Sequence, residues 1–331
     1  MSRFPSVQAS VAEPFFSAVP LSLSRVETLA EECGLPGGIV SQPEGIISLH
    51  AAEKFMFRLD QTLRHDVFFI ESLRTSQSSR MKSVANIRLP YALTGLDAIT
   101  AVAERISSIL YGAGFLIEKD GSRIWLLRTA GTTEWTDNWP VQQYNLEVAL
   151  RVLEGALGQP LTPVALRLRR AVDRDALPAH YQGLPQQLSK TTMGLAFAVD
   201  DLLPPAGGVF VSDAEERGAG ADHETTVSAL QRCLETYLPT TAPKALTHVM
   251  SRAFGMSPRT YRRHLEHLGV SHRQLVSNAR LTRAERMLAN PDIPITEIAF
   301  ELGYAYSPAF TRFFQSRVGI TPQTYRRRMM Q

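Results

Sequence analysis

One short pattern, written twice, constrains this chain more than any other feature. The first copy runs from Ala245 to Leu268: an apolar-periodic stretch, then Gly255-Met256-Ser257, then Pro258-Arg259-Thr260-Tyr261-Arg262-Arg263-His264-Leu265. The second runs from Ile295 to Val318, with Gly303-Tyr304-Ala305-Tyr306 before a stretch that opens on Ser307-Pro308. Each copy reads as helix, glycine turn, helix. Glycine suits a turn that needs positive φ. Ser257 is a natural N-cap, and Pro258 takes the first helical position, where its missing N–H has no partner to lose. Between the copies, His272 to Ala289 reads as one helix of about 27 Å at 1.5 Å per residue. Pro291 and Pro294 end it.

The spacing predicts what each second helix shows. In the first, Tyr261, Leu265 and Leu268 form an inward stripe and Arg259, Arg262 and Arg263 project outward. In the second, Phe310, Phe313 and Phe314 pack inward, leaving Ser307, Pro308, Thr311, Arg312 and Gln315 outside. A helix that enters the major groove of DNA presents its N-terminal residues to base edges. Arginine bonds guanine bidentately there, and Thr or Pro meets a thymine methyl. Free N–H groups at each helix start, near Ser257 and Pro258 or Ser307 and Pro308, attract phosphate. Successive major grooves on one face of DNA lie roughly 34 Å apart, a span that a rigid connector of this length can approach.

Charge points the same way. Residues 241–331 hold fourteen Lys and Arg against five Asp and Glu, a balance of +9, so the other 240 residues, with 21 and 27, carry −6. The basic excess is confined to the last third, as a polyanion partner requires. A basic face that is merely solvated is the alternative on charge alone.

The rest of the chain excludes several classes. Two cysteines, Cys33 and Cys233, are too few for a disulfide framework or a structural zinc site. That usage fits a reducing cytosol, so a cytoplasmic location is expected. Residues 1–24 have no continuous apolar core of a secretion signal, and no run of eighteen apolar residues suggests a membrane span. The eight histidines form no HxH or HExxH metal spacing. Asp200-Asp201 reads as a turn, and no phosphate loop, nucleophile elbow or kinase-like set is present. The expectation is therefore no enzyme, no cofactor and no metal.

Upstream, apolar spacing predicts helices at about Arg25–Cys33, His50–Arg64, Asp97–Tyr111 and Tyr144–Leu157. Strands are expected at Phe115–Glu118 and Arg123–Arg128, joined by a hairpin turn at Asp120-Gly121. Two further strands alternate through Val164, Leu166 and Leu168 and through Leu195, Phe197 and Val199. The expected architecture is an α+β domain over residues 1–205, a polar, Gly-rich linker over 206–223, and an all-α domain over 224–331. That last domain holds about seven helices and carries both helix-turn-helix units, near 245–268 and 295–318.

These residues resemble a known family. Gly255-Met256-Ser257-Pro258-Arg259-Thr260, the Arg280…Ala284…Leu288 connector, Ile298-Ala299-Phe300-Glu301-Leu302-Gly303-Tyr304, Ala309-Phe310-Thr311-Arg312-Phe313-Phe314 and Gly319-Ile320-Thr321-Pro322 with Tyr325-Arg326 look like the DNA-binding domain of the AraC/XylS family. The resemblance implies seven helices with two helix-turn-helix motifs, binding to double-stranded promoter DNA, and activation by contact with RNA polymerase. There are departures: Ser251 stands where a small Ala is usual, His264 where Arg is common, and Tyr306-Ser307-Pro308 differs from the usual polar start. More loosely, Leu29 to Leu35 with the helix after it, and Leu161 to Val164 leading into a strand, resemble an arabinose-binding-type effector domain. Such a domain implies a small-molecule effector, a homodimer, or both. Trp125, Trp135, Trp139 and Tyr111 are candidate lining for an effector pocket, and equally a core cluster. A ligand-independent dimeric repressor or architectural protein is the alternative to an effector-tuned activator.

Overall fold

The computed structural model describes residues 4–17, 19–63, 95–111, 114–129, 134–157, 159–202, 226–242 and 244–330. The expected linker over 206–223 lies outside the described residues.

The N-terminal part has mixed sheet and helix. Three short strands, β1 (Ser6–Gln8), β2 (Ile46–Ser48) and β3 (Leu110–Tyr111), form an antiparallel sheet in the order β2-β1-β3. A larger sheet holds β4 (Gly114–Asp120), β5 (Arg123–Thr129), β6 (Ala165–Leu168), β7 (Gln186–Leu188) and β8 (Thr192–Ala198), in the order β4-β5-β8-β6-β7. Its pairs are antiparallel except β6 with β7. The β4–β5 hairpin closes with Asp120 opposite Arg123, as the Asp-Gly turn requires.

Successive strand residues face opposite sides of a sheet, and β5 is buried on both. Ile124 and Leu126, with Leu195, Phe197, Leu166 and Leu168, pack into the main core. Helices α1 (Glu13–Ser17), α2 (Leu23–Cys33), α3 (Leu49–Thr62), α4 (Gly95–Ile109) and α5 (Trp139–Leu157) supply the rest of that core through residues such as Leu29, Phe55, Val102 and Leu153. Trp125 and Leu127 point the other way, into a small cluster with Ala165 and Ala196.

Two boundaries differ from the sequence reading. The helix expected to end at Tyr111 stops at Ile109, because Leu110 and Tyr111 pair with Val7 and Ser6. The helix expected from Tyr144 starts at Trp139, with Pro140 in its first turn, where proline is tolerated. Asp200-Asp201 begins a short 3-10 turn, as expected.

From Thr226 on, the described residues are helical: α6 (Thr226–Tyr237), α7 (Leu246–Ala253), α8 (Pro258–His267), α9 (His272–Leu288), α10 (Ile295–Glu301), α11 (Ser307–Val318) and α12 (Pro322–Met329). They divide between two cores. Leu230, Leu234, Leu246, Met250, Phe254, Tyr261, Leu265, Leu275 and Ala279 form one. Ala284, Leu288, Ile298, Ala299, Leu302, Phe310 and Phe314 form the other. The connector α9 contributes its first half to one and its second half to the other.

Phe4 and Ile46, from the N-terminal part, complete the first of these cores. Around them, Ser48 Oγ donates to the Ala253 carbonyl at 2.8 Å and Tyr237 hydroxyl to the Gly34 carbonyl at 2.8 Å, both buried. Arg252 donates to the Glu32 carbonyl at 2.6 Å.

Candidate nucleic-acid interface

Each helix pair is built by local chemistry. Gly255 has φ +66° and Gly303 φ +78°, the left-handed region that L side chains avoid. A Cβ on Gly255 would also lie 2.4 Å from the His50 ring, which would have to move to admit it. Ser257 Oγ then accepts from Thr260 N–H at 3.1 Å and starts α8. Ser271 and Gln274 form a reciprocal capping box at the start of α9. Arg326 closes the other end of this connector, donating to the carbonyls of Leu288 and Ile293 at 3.3 and 2.7 Å. Ser251, the departure from small Ala, is fully buried and spends its hydroxyl on the His248 carbonyl at 2.9 Å.

The inward stripes hold with two exceptions. Tyr261, Leu265, Phe310 and Phe314 are buried, and Phe313 is half-buried. Leu268 is 37% exposed, because it is the cap of α8 and its backbone has left the helical angles that keep the stripe inward. His264 is turned inward against Phe4, ring centroids 6.2 Å apart, and so does not face outward as an arginine there would.

The outward set divides cleanly. Ser257, Arg259, Arg262 and Arg263 on the first unit and Pro308, Arg312 and Gln315 on the second are exposed, while Pro258, Ser307 and Thr311 are half-buried. Among the described residues no ion pair engages Arg259, Arg262, Arg263 or Arg312. Other arginines of this region are occupied: Arg283 with Glu301, Arg286 with Glu235, Arg317 with Asn278. Arginines that hold the fold are thus separate from arginines that face solvent on α8 and α11.

Tyr306 lies outside the sequence-derived set. It stands at the N-cap of α11, 55% exposed, and provides no capping hydrogen bond. The departure at Tyr306-Ser307-Pro308 was the available signal for it.

Beneath α8, His272 carries a neutral ring. Burial, and secondarily the charge of Arg262, lowers its pKa from about 6.5 to about 4. The Tyr261 hydroxyl lies 3.1 Å from its Nδ1, and the two share a hydrogen bond. A base whose folded pKa is depressed leaves stability intact above the unfolded value and removes it as protons bind below. Stability is therefore expected to be lost as pH falls from about 6.5 toward 4. His272→Gln should flatten the upper part of that fall, from pH 6.5 to 5, in denaturant midpoints measured across the range.

Two of the aromatic residues proposed for a pocket, Trp125 and Trp139, lie in different clusters. Trp125 is fully buried in the small cluster on one face of the large sheet. Trp139 packs against the main core and donates from Nε1 to the Ala176 carbonyl at 3.2 Å. Trp135 lies in the 3-10 turn Glu134–Asp137, and the Tyr111 backbone pairs with Ser6.

A different polar group occupies the main core. Arg128 and Glu53, 1% and 2% exposed, pair at 3.0 Å, and Thr136 donates to the other Glu53 oxygen at 2.7 Å. Among the described residues, Arg128 Nε and Nη1 have no hydrogen-bond partner. Glu53 also lines a small cleft with Tyr144, Asn145, Val7, Leu49 and Met56. These residues are far apart in sequence, and no local pattern announces them.

The helix pairs and their separate cores define a tandem helix-turn-helix region. Residues 250–328 match the family described as a helix-turn-helix domain, of AraC type. Over 73 residues the chain is 37% identical to an uncharacterised HTH-type transcriptional regulator of Mycobacterium tuberculosis, covering 22% of this chain and 21% of that one. It is 30% identical over 93 residues to the urease operon transcriptional activator of Escherichia coli, covering 28% and 31%. The chain thus spans less than a third of the length of these relatives. Among solved structures, the transcriptional regulator CdpR from Pseudomonas aeruginosa aligns at 16% identity over 77% of this chain and 92% of that one, with a TM-score of 0.28. Among the described residues no helix is long and apolar enough to cross a membrane.

Proposed function

We propose that this chain is a sequence-specific DNA-binding transcription regulator, an activator that acts in the cytoplasm on double-stranded promoter DNA. The observation that carries it is the unpaired, exposed arginine set on α8 and α11, each helix following a glycine turn in a region that matches a helix-turn-helix family. In this reading Ser257, Pro258, Arg259, Arg262 and Arg263 serve one groove. Ser307, Pro308, Thr311, Arg312 and Gln315 serve the next. Seven helices over residues 224–331 carry the two motifs, and residues 1–205 form the regulatory domain. Contact with RNA polymerase and a homodimer complete the proposal, and catalysis has no part in it.

Regulation by a small molecule is part of the same reading. The cleft lined by Glu53 and Asn145 supports it, since it sets polar groups among apolar ones. Such a ligand regulates only if it binds the competent and incompetent arrangements with different affinity.

Genome-wide mapping of bound DNA identifies the operator, and gel shifts on that site then test the reading. Affinity should fall on the order of a thousandfold between 50 and 200 mM salt, because phosphate contacts release counterions. A protein that enriches no sequence, or whose affinity ignores salt, would overturn it.

A further inference from the structure

The two helix-turn-helix units are not equivalent. The core under α10 and α11 draws, among the described residues, only on residues 281–325. The core under α7 and α8 needs Phe4 and Ile46, more than 180 residues away in sequence. Phe4 is 1% exposed, and its ring meets three side chains of the first unit edge-on: Phe254 at 5.1 Å, Tyr261 at 5.7 Å and His264 at 6.2 Å between centroids. Tyr261 and His264 lie on the back of α8, one residue from Arg262 and Arg263 on its front. The Phe4 ring is thus the surface on which the first recognition helix rests. Ser48, at the end of β2, fixes the preceding helix through the Ala253 carbonyl two residues before Gly255.

From this geometry we infer that Phe4 is a positioning residue for DNA recognition by the first unit alone, an assignment that rests on the DNA-binding reading above. Edge-to-face aromatic contacts fix orientation as well as burying area. Removing the ring leaves a void beneath α8, and the helix shifts or tilts to fill it. Arg259, Arg262 and Arg263 move with it. Arg312 does not, since α11 sits on its own core. The segment that leads into β1 is in this sense a structural member of the first helix-turn-helix unit.

The test is footprinting of the full chain on its mapped operator. Arg263→Ala and Arg312→Ala mark which half-site belongs to which unit. Phe4→Ala should then need about tenfold more protein to protect the first unit's half-site and retain wild-type protection of the second. Phe4→Leu, which refills most of the volume, should restore much of the first. Ser48→Ala, a milder change at the same contact, should bias protection in the same direction to a smaller extent. Equal protection of both half-sites by Phe4→Ala and Ser48→Ala at wild-type concentration overturns the assignment. So does parallel loss at both half-sites, which would mark general destabilisation. If the wild-type chain itself protects no sequence, the DNA-binding reading falls and takes this one with it.

Discussion

Arg263→Ala and Arg312→Ala are each expected to weaken operator binding by about 1–3 kcal/mol, roughly five- to a hundredfold. Each should also relax sequence preference at one position of its own half-site, if the arginine reads a guanine edge. The two helices rest on separate cores, so their effects should add in the double variant, giving a loss of about thirtyfold or more. Arg286→Ala is the control. It removes the same charge from the same domain, but Arg286 pairs with Glu235 and not with a groove. Its effect should be small and independent of sequence. Gel shifts on the mapped operator and on single-base variants of it decide the matter. Wild-type affinity in both Arg263→Ala and Arg312→Ala would refute the groove assignment.

The largest effect on stability is expected at Glu53. Arg128 is almost wholly buried, and Glu53 is the group that neutralises it. Removing one partner of a buried pair leaves an uncompensated charge and costs about 3–5 kcal/mol. Glu53→Ala should therefore lower the melting temperature by on the order of 10 °C for a domain of this size. Replacing both partners with apolar residues of similar volume, as in Glu53→Met with Arg128→Met, should recover most of that loss, since the desolvation of both charges disappears with them. The two N–H groups of Arg128 that lack partners make this recovery larger. Thermal and urea unfolding of the three variants measure it. A Glu53→Ala protein as stable as wild type would show that Arg128 is held by something other than this pair. If the double variant is less stable than Glu53→Ala, the pair contributes more than it costs.

The helix pairs were legible in the sequence because their signals are local. Glycine at the turn, Ser257 as cap, Pro258 after it and aromatic residues at helical spacing all act within about ten residues. The α4–β3 junction was not, because Tyr111 is drawn out of the helix by a strand that begins at Ser6. Strands of two or three residues leave no readable alternation. The Glu53–Arg128 pair was hidden for the same reason, since its members lie 75 residues apart and meet only in the folded core. Leu268 shows the converse: the apolar period continued through it, but the helix ended one residue earlier. The tryptophans cluster in sequence, yet strand alternation sends Trp125 to one face of the sheet and the following helix carries Trp139 to the other cluster.

The distance along the chain between Phe4 and its partners also sets an order of assembly. A protein emerges from the ribosome N-terminus first, and Phe4 waits for residues 230–279 before its hydrophobic surroundings exist. Contacts this remote form slowly, because the intervening loop must be closed first. The α10–α11 core closes within about forty-five residues of its own start and needs nothing synthesised earlier than Leu281. The second unit is accordingly the part able to fold on local instruction, whereas the first becomes complete only when Phe4 and Ile46 have met residues 230–279.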